Sequence, residues 1–197
     1  MGRAGWLLLW LLALDARAAD AYRIEPEQTR VSFDVRRFGV KWIGAHFRQV
    51  EGSFTVDRTG PGNLIDVRVR TDSLEGLDGG WNRRLRSSEW LDTQRFPQMR
   101  FRSTHVEFRH DGSAMAVGQL TLHGVSRPVL LDIGRPDCTT LQQSCGFNAH
   151  TSIRRSDFGL PHGFWVAGDA VEISIAGIAT RQDSRLTAAS TLPSSPD

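Results

Sequence analysis

Lysine is almost absent from this chain: Lys41 is the only one, so nearly all of its 24 cationic side chains are arginine. They face 22 acidic side chains, and no basic run gathers them. Scattered cations at a net charge of +2 do not track a polyanion, which excludes nucleic acid as a partner. Long apolar runs are also missing. The longest, Trp6 to Leu14, is too short to span a bilayer comfortably. No Gly-x-Ser-x-Gly elbow is present, and the Ser156-Asp157 pair lacks a base predicted to orient onto it. Gly79-Gly80 is not followed by the Gly-Lys-Ser that a phosphate cradle needs, so it reads as the entry to a helix. Six histidines (46, 105, 110, 123, 150 and 162) show no HExxH spacing and join no cysteine cluster. They read as scattered surface or core residues, with no metal, no cofactor and no catalytic residue expected. His123 sits in a tight Leu122-His123-Gly124-Val125 turn and argues a loop role.

The short apolar run has a use. Arg3 precedes it and Ala16-Arg17-Ala18 follows it, which together make a secretory signal peptide over residues 1–18 with cleavage before Ala19. No cysteine follows that site, so a lipoprotein anchor is not indicated. The exported chain keeps a net charge of +1, since residues 1–18 hold Arg3, Arg17 and Asp15. An exported chain with two cysteines, Cys138 and Cys145, favours a disulfide, and their spacing fits neither a CxxC redox motif nor a zinc site.

Beyond the signal the rhythm is period two. Val31, Phe33 and Val35 alternate with polar residues; so do Val50, Gly52, Phe54 and Val56, then Ile65, Val67 and Val69. Val129, Leu131 and Ile133 repeat it, as do Phe147, Ala149, Thr151 and Ile153, and finally Val171, Ile173 and Ile175. Such alternation predicts half-buried antiparallel strands that curl around an interior. Met99, Phe101 and Ser103 share one parity but Val106 and Phe108 the other, which predicts a β-bulge near Thr104 or His105. Turns are predicted at Gly60-Pro61-Gly62-Asn63 and Asp111-Gly112. Trp81 to Leu91 lacks β-branched residues and places Trp81, Leu85 and Ser88 at helical spacing, a short helix or two helical turns at one open end. Residues 181–197 are rich in Ser, Thr, Ala and Pro without periodicity and read as a disordered tail, leaving one domain over 19–180.

Four stretches then carry a resemblance: VKWIGAHFRQVEGSFTVD from Val40, LRSSEWLDTQRFPQMRFRS from Leu85, GQLTLHGVSRPVLL from Gly118 and IRRSDFGL from Ile153. In this order, behind a signal peptide, they resemble the YceI-like, lipocalin-like polyisoprenoid-binding family from about Ala21 to Ala179. The resemblance implies an all-β fold, an extended antiparallel eight-stranded lipocalin-like barrel with a short helical segment at one end. It implies a periplasmic binder or carrier whose apolar tunnel holds a long-chain isoprenoid lipid or a quinone-like tail. A homodimer and transient contact with inner-membrane proteins are the implied protein partners. Two alternatives stand beside this reading: an accessory protein or enzyme acting on a quinone or lipid in electron transfer or stress response, and a ligand-free structural barrel.

The candidate binding residues follow. Phe33, Phe54 and Phe101 lie on inward strand parities, and Trp42 and Trp81 are aromatic groups that fill a core or line a cavity. Gly52, Gly118, Ala149 and Gly177 would leave room in the lumen. Polar family positions are changed here to Arg37, Asn82 and Arg84, and the family's arginine to Trp81. Arg37 and Arg84 could clasp an anionic head group bidentately, or pair with acids such as Asp34 and Glu89.

Overall fold

The computed structural model describes residues 19–37, 40–57, 62–76, 78–138, 143–161 and 168–182, with backbone alone at 36, 37 and 40–43. The signal segment and residues 183–197 of the tail lie outside the described residues. The strands are β1 (Asp20–Ile24), β2 (Arg30–Arg37), β3 (Val40–Phe47), β4 (Val50–Val56), β5 (Leu64–Arg70) and β6 (Leu74–Glu75). After helix α1 (Gly79–Arg86) come β7 (Gln98–Phe108), β8 (Ala114–Leu122), β9 (Val125–Ile133), β10 (Asp137–Cys138), β11 (Ser144–Arg154) and β12 (Ala170–Arg181). All pairings are antiparallel, and the order β11-β9-β8-β7-β5-β4-β1-β12 closes on itself through β12 and β11. Closure makes this an eight-stranded barrel without free edges along the ring.

Strand β12 ties the two ends together. Its last residues pair with β1, Tyr22 opposite Arg181, while Val171 to Ala176 pair with β2. Pro26 starts a one-turn helix (Pro26–Gln28) between β1 and β2, and this break lets the strand pair with β4 on one side of the break and with β3 on the other. Beyond the break, β2 pairs with β3 and β3 with β6, and together they form a wall of that half. Helix α1 follows β6 directly in the chain.

The expected alternation holds. Val31 and Val35 on β2, Val69 on β5, Leu120 on β8, Ile153 on β11 and Val171 on β12 meet in one core. The bulge falls where parity required it: Ser103 opposes Gly118 and His105 opposes Val117, skipping Thr104. The extra residue returns Val106 to the interior, beside Ala116 and Leu131, whereas Phe108 ends the strand 41% exposed. The Asp111-Gly112 turn is present as a five-residue loop, with Gly112 at φ 86° and the Asp111 carboxylate accepting from the Ser113 amide. Of the Gly60 to Asn63 turn, Gly62 and Asn63 are among the described residues. The Asn63 side chain accepts from the Asp57 amide at 2.7 Å and donates to its carbonyl at 3.0 Å.

The helix is shorter than its pattern. Asp78 caps it, Oδ1 accepting from the amides of Gly80 and Trp81 at 2.9 Å, so the two glycines form its first turn and do not precede it. It ends at Arg86 because Ser87 is extended, φ −68° and ψ 167°, and turns its hydroxyl back onto the Arg84 carbonyl. Ser88 is therefore off the helix. Arg83, Arg84 and Arg86 complement the negative end of its dipole. Strand β12 runs through Arg181, which pairs with Asp20, and Gln182 donates to the Ala21 carbonyl, so the tail begins later than composition predicted.

The glycines have a different use from the one expected. A Cβ at Gly52 would meet the Asp66 carbonyl at 2.5 Å, at Gly118 the Arg102 carbonyl at 2.4 Å, and at Gly177 the Thr29 side chain at 2.2 Å. Gly52 and Gly118 permit close approach of neighbouring backbone and Gly177 that of the Thr29 side chain, so none of the three leaves lumen space. Cys138 and Cys145 are joined in a disulfide across the β10–β11 pair. Closing that loop stabilises by about 2.5 kcal/mol in the chain-entropy model.

Candidate functional site

The interior of the barrel is not filled along its whole length. Inward residues of β2, β5, β7, β8, β9, β11 and β12 surround an apolar cavity of about 150 Å³. Val31, Phe33 and Val35 form one side, Met99, Phe101 and Leu120 another, and Ile153, Val171 and Ile173 a third. Trp81 and Leu85 of α1 close it from one end together with Trp90, Leu91 and Leu160. Walls of this kind offer water few hydrogen-bonding partners, a penalty to its entry. An apolar ligand meets no such penalty.

The end of the barrel near β1 is plugged. Tyr22 stacks on Phe54, ring centroids 5.1 Å apart and nearly parallel, and Phe147 meets Phe54 edge-on at 6.2 Å. Cys145 and Ala179 pack into the same cluster. The cavity is therefore a pocket closed at this end.

The expected binding residues divide accordingly. Phe33, Trp81 and Phe101 line the cavity. Phe54 has the inward parity but belongs to the plug, because the alternating pattern fixes which face a residue takes and not how far along the barrel it lies. Asn82 and Arg84 lie on α1 outside the cavity wall, and the Arg84 guanidinium sits over the Trp81 ring at 5.5 Å. Arg37 and Trp42 belong to β2 and β3, but their side chains fall outside the described residues.

Among the described residues, Arg100 and Arg155 border the cavity. The guanidinium of Arg100 is turned to Asp66 in a two-point contact, and this bond holds the Asp66 carboxyl below the usual carboxylate range. Arg155 is different: it is only 4% exposed. Its Nη2 donates to the Gly168 carbonyl at 2.5 Å, and its guanidinium lies 5.7 Å from the centre of the Trp90 ring. Burial lowers its pKa, with the nearby Asp169 carboxylate opposing the shift. Asp169 in turn accepts from the amide and hydroxyl of Ser156 at 2.8 and 2.7 Å. Sequence reading passed over Arg155 as one charge in an Arg-Arg pair. The parity of Phe147, Ala149, Thr151 and Ile153, continued by two residues, would have pointed it inward.

Among the described residues no group of three or more His, Cys, Asp or Glu is placed to hold a metal. No helix among them is long and apolar enough to cross a membrane.

A closed antiparallel eight-stranded barrel around an apolar interior cavity defines a barrel of lipocalin-like architecture. The family can be stated as well: residues 22–179 match the model of the YceI-like domain, and the chain belongs to that family. It is 34% identical over 176 residues to the UPF0312 protein Ent638_1570 of Enterobacter sp. (strain 638), covering 86% of this chain and 90% of that one. It is 32% identical over 179 residues to protein YceI of Escherichia coli O157:H7, covering 86% and 92%. Among solved structures, Burkholderia cenocepacia BcnA has the same fold with a TM-score of 0.72 at 19% identity, covering 80% of this chain and 99% of that one. A polyisoprenoid binding domain from Saccharophagus degradans aligns with a TM-score of 0.61 at 14% identity, covering 82% and 98%.

Proposed function

We propose that this protein is a periplasmic binder or carrier of a long-chain isoprenoid-type lipid, whose chain lies in the apolar cavity, and that it acts by holding its ligand and not by turning it over. The observation that carries the reading is the apolar interior walled by Phe33, Phe101, Leu120, Ile153 and Ile173. Each CH₂-sized unit moved there from water contributes about 0.8 kcal/mol before ordering losses, so few polar contacts are needed. The Saccharophagus domain of the same fold, named for polyisoprenoid binding, supports this ligand class. Periplasmic residence is supported by the Cys138–Cys145 disulfide and by the signal-like first 18 residues. The homodimer and the contact with inner-membrane proteins belong to the same proposal and rest on the resemblance alone.

The test fills the cavity. Val129, half-buried on β9, is part of its wall. A Val129→Trp variant that keeps its far-UV spectrum should lose copurified lipid and bind an added prenyl chain at least tenfold more weakly. Equal lipid in the folded variant and the wild type would show that the chain lies elsewhere. A catalytic role acting on a quinone or lipid predicts product formation from the bound chain, which turnover assays on the loaded protein would reveal.

A further inference from the structure

A second concavity of about 390 Å³ lies outside the barrel, bordered by Ser88, Glu89, His123 and Pro161. Trp90 and Leu160 belong to its wall and also to the wall of the interior cavity. Among the described residues these two side chains face both spaces. Both are placed from the backbone: the Trp90 amide donates to the Ser87 carbonyl at 3.0 Å and the Leu160 amide to the Arg155 carbonyl at 3.1 Å. Arg155 sits over the Trp90 ring. His123 is set in a left-handed conformation, φ 52°, with its ring edge-on to Phe96 and Nδ1 3.4 Å from the Phe158 carbonyl.

We propose that this outer cleft is the head-group site of the bound lipid, that Trp90 and Leu160 form the passage into the interior, and that the cleft selects an uncharged, hydroxyl-bearing head over a phosphate. The inference rests on the lipid-binding reading and adds the entry point and the head-group class. A chain threaded past Trp90 and Leu160 leaves its head among Ser88, Glu89 and His123. Among the described residues of this wall, Glu89 is the one carboxylate. A carboxylate accepts a strong hydrogen bond from a hydroxyl and repels a phosphate. Ser88 and the imidazole add hydrogen-bonding partners. Arg155, which sits over the Trp90 ring, is part of the interior wall and not of the cleft wall.

The experiment titrates the full-length exported protein with three probes of one chain length: a prenyl alcohol, its monophosphate and the unsubstituted hydrocarbon. The wild type should bind the alcohol about tenfold more tightly than the phosphate, a difference of about 1.4 kcal/mol. Glu89 is exposed in a turn, and Glu89→Arg should reverse that order. Glu107→Gln, an exposed change on β7 outside both walls, should leave the ratio unchanged. Leu160→Ala should speed both uptake and release of the alcohol, read from tryptophan fluorescence. A phosphate bound as tightly as the alcohol, or a ratio that Glu89→Arg does not move, would overturn the head-group assignment. Unchanged rates in Leu160→Ala would overturn the passage. Failure of the hydrocarbon and the alcohol alike to bind the wild type would instead remove the lipid-binding reading, and this inference with it.

Discussion

Replacing Arg155 by Met would keep an unbranched apolar stem and remove the buried guanidinium, which isolates what the charge does. Its hydrogen bond to the Gly168 carbonyl is charge-assisted, a type that contributes about 1.5–3 kcal/mol. The contact with Trp90 adds up to about 2 kcal/mol where it is desolvated. Against both stands the desolvation of the guanidinium itself, which Met does not suffer. The balance is a loss of about 2 kcal/mol for Arg155→Met. Arg155→Ala also forfeits the packing of the stem against the core and should lose about 4 kcal/mol. Urea denaturation of the ligand-free protein measures this: with a slope near 2 kcal/mol/M, the Met variant's midpoint should fall by about 1 M. Trp90 emission should shift red as its ring gains freedom. A Met variant as stable as the wild type, with unchanged emission, would refute the view that the guanidinium braces Trp90.

Three further outcomes follow from the same geometry. Reducing Cys138–Cys145 should lower stability by about 2.5 kcal/mol without unfolding the barrel, and thiol labelling of denatured, unreduced protein should find no free thiol. Arg100 lowers the pKa of Asp66, so the pair stabilises fully above the unfolded carboxyl pKa of about 3.9 and is lost as pH falls through the lower folded value; the stability gap between wild type and Arg100→Gln, followed by denaturation from neutral to acid pH, should be constant near neutrality and close in acid. Gly118→Ala drives a Cβ onto the Arg102 carbonyl and the Phe101 ring, so thermal unfolding should show a loss of about 1–3 kcal/mol, and ligand retention should weaken because Phe101 lines the cavity.

Much of the fold was legible because one face of each strand is buried and the other is not. The parity of Val31, Phe33 and Val35 and the phase change after Ser103 state which side chains point inward and where the chain bulges. Depth along the barrel has no such signature. Phe33 and Phe54 share the inward parity, yet one lines the cavity and the other stacks on Tyr22 in the plug, a difference set by the Pro26 break and the pairing partners of β12. Glycine was ambiguous for a related reason: at Gly52 the missing Cβ makes way for the Asp66 carbonyl of the next strand, which register alone reveals. Arg155 was hidden by its polarity, since an arginine is seldom inside. The cleft at Glu89 and His123 joins residues distant in sequence, brought together only when the turn after β8 meets the segment after α1.

The central claim is that the interior of this barrel is occupied by a lipid chain. Native mass spectrometry of the protein recovered from the periplasm, repeated after organic extraction, tests it most directly. The account predicts a bound mass that extraction releases, with the extract containing a prenyl chain that rebinds the wild type and fails to rebind Val129→Trp. A periplasmic protein of unliganded mass that takes up no added prenyl chain would contradict it.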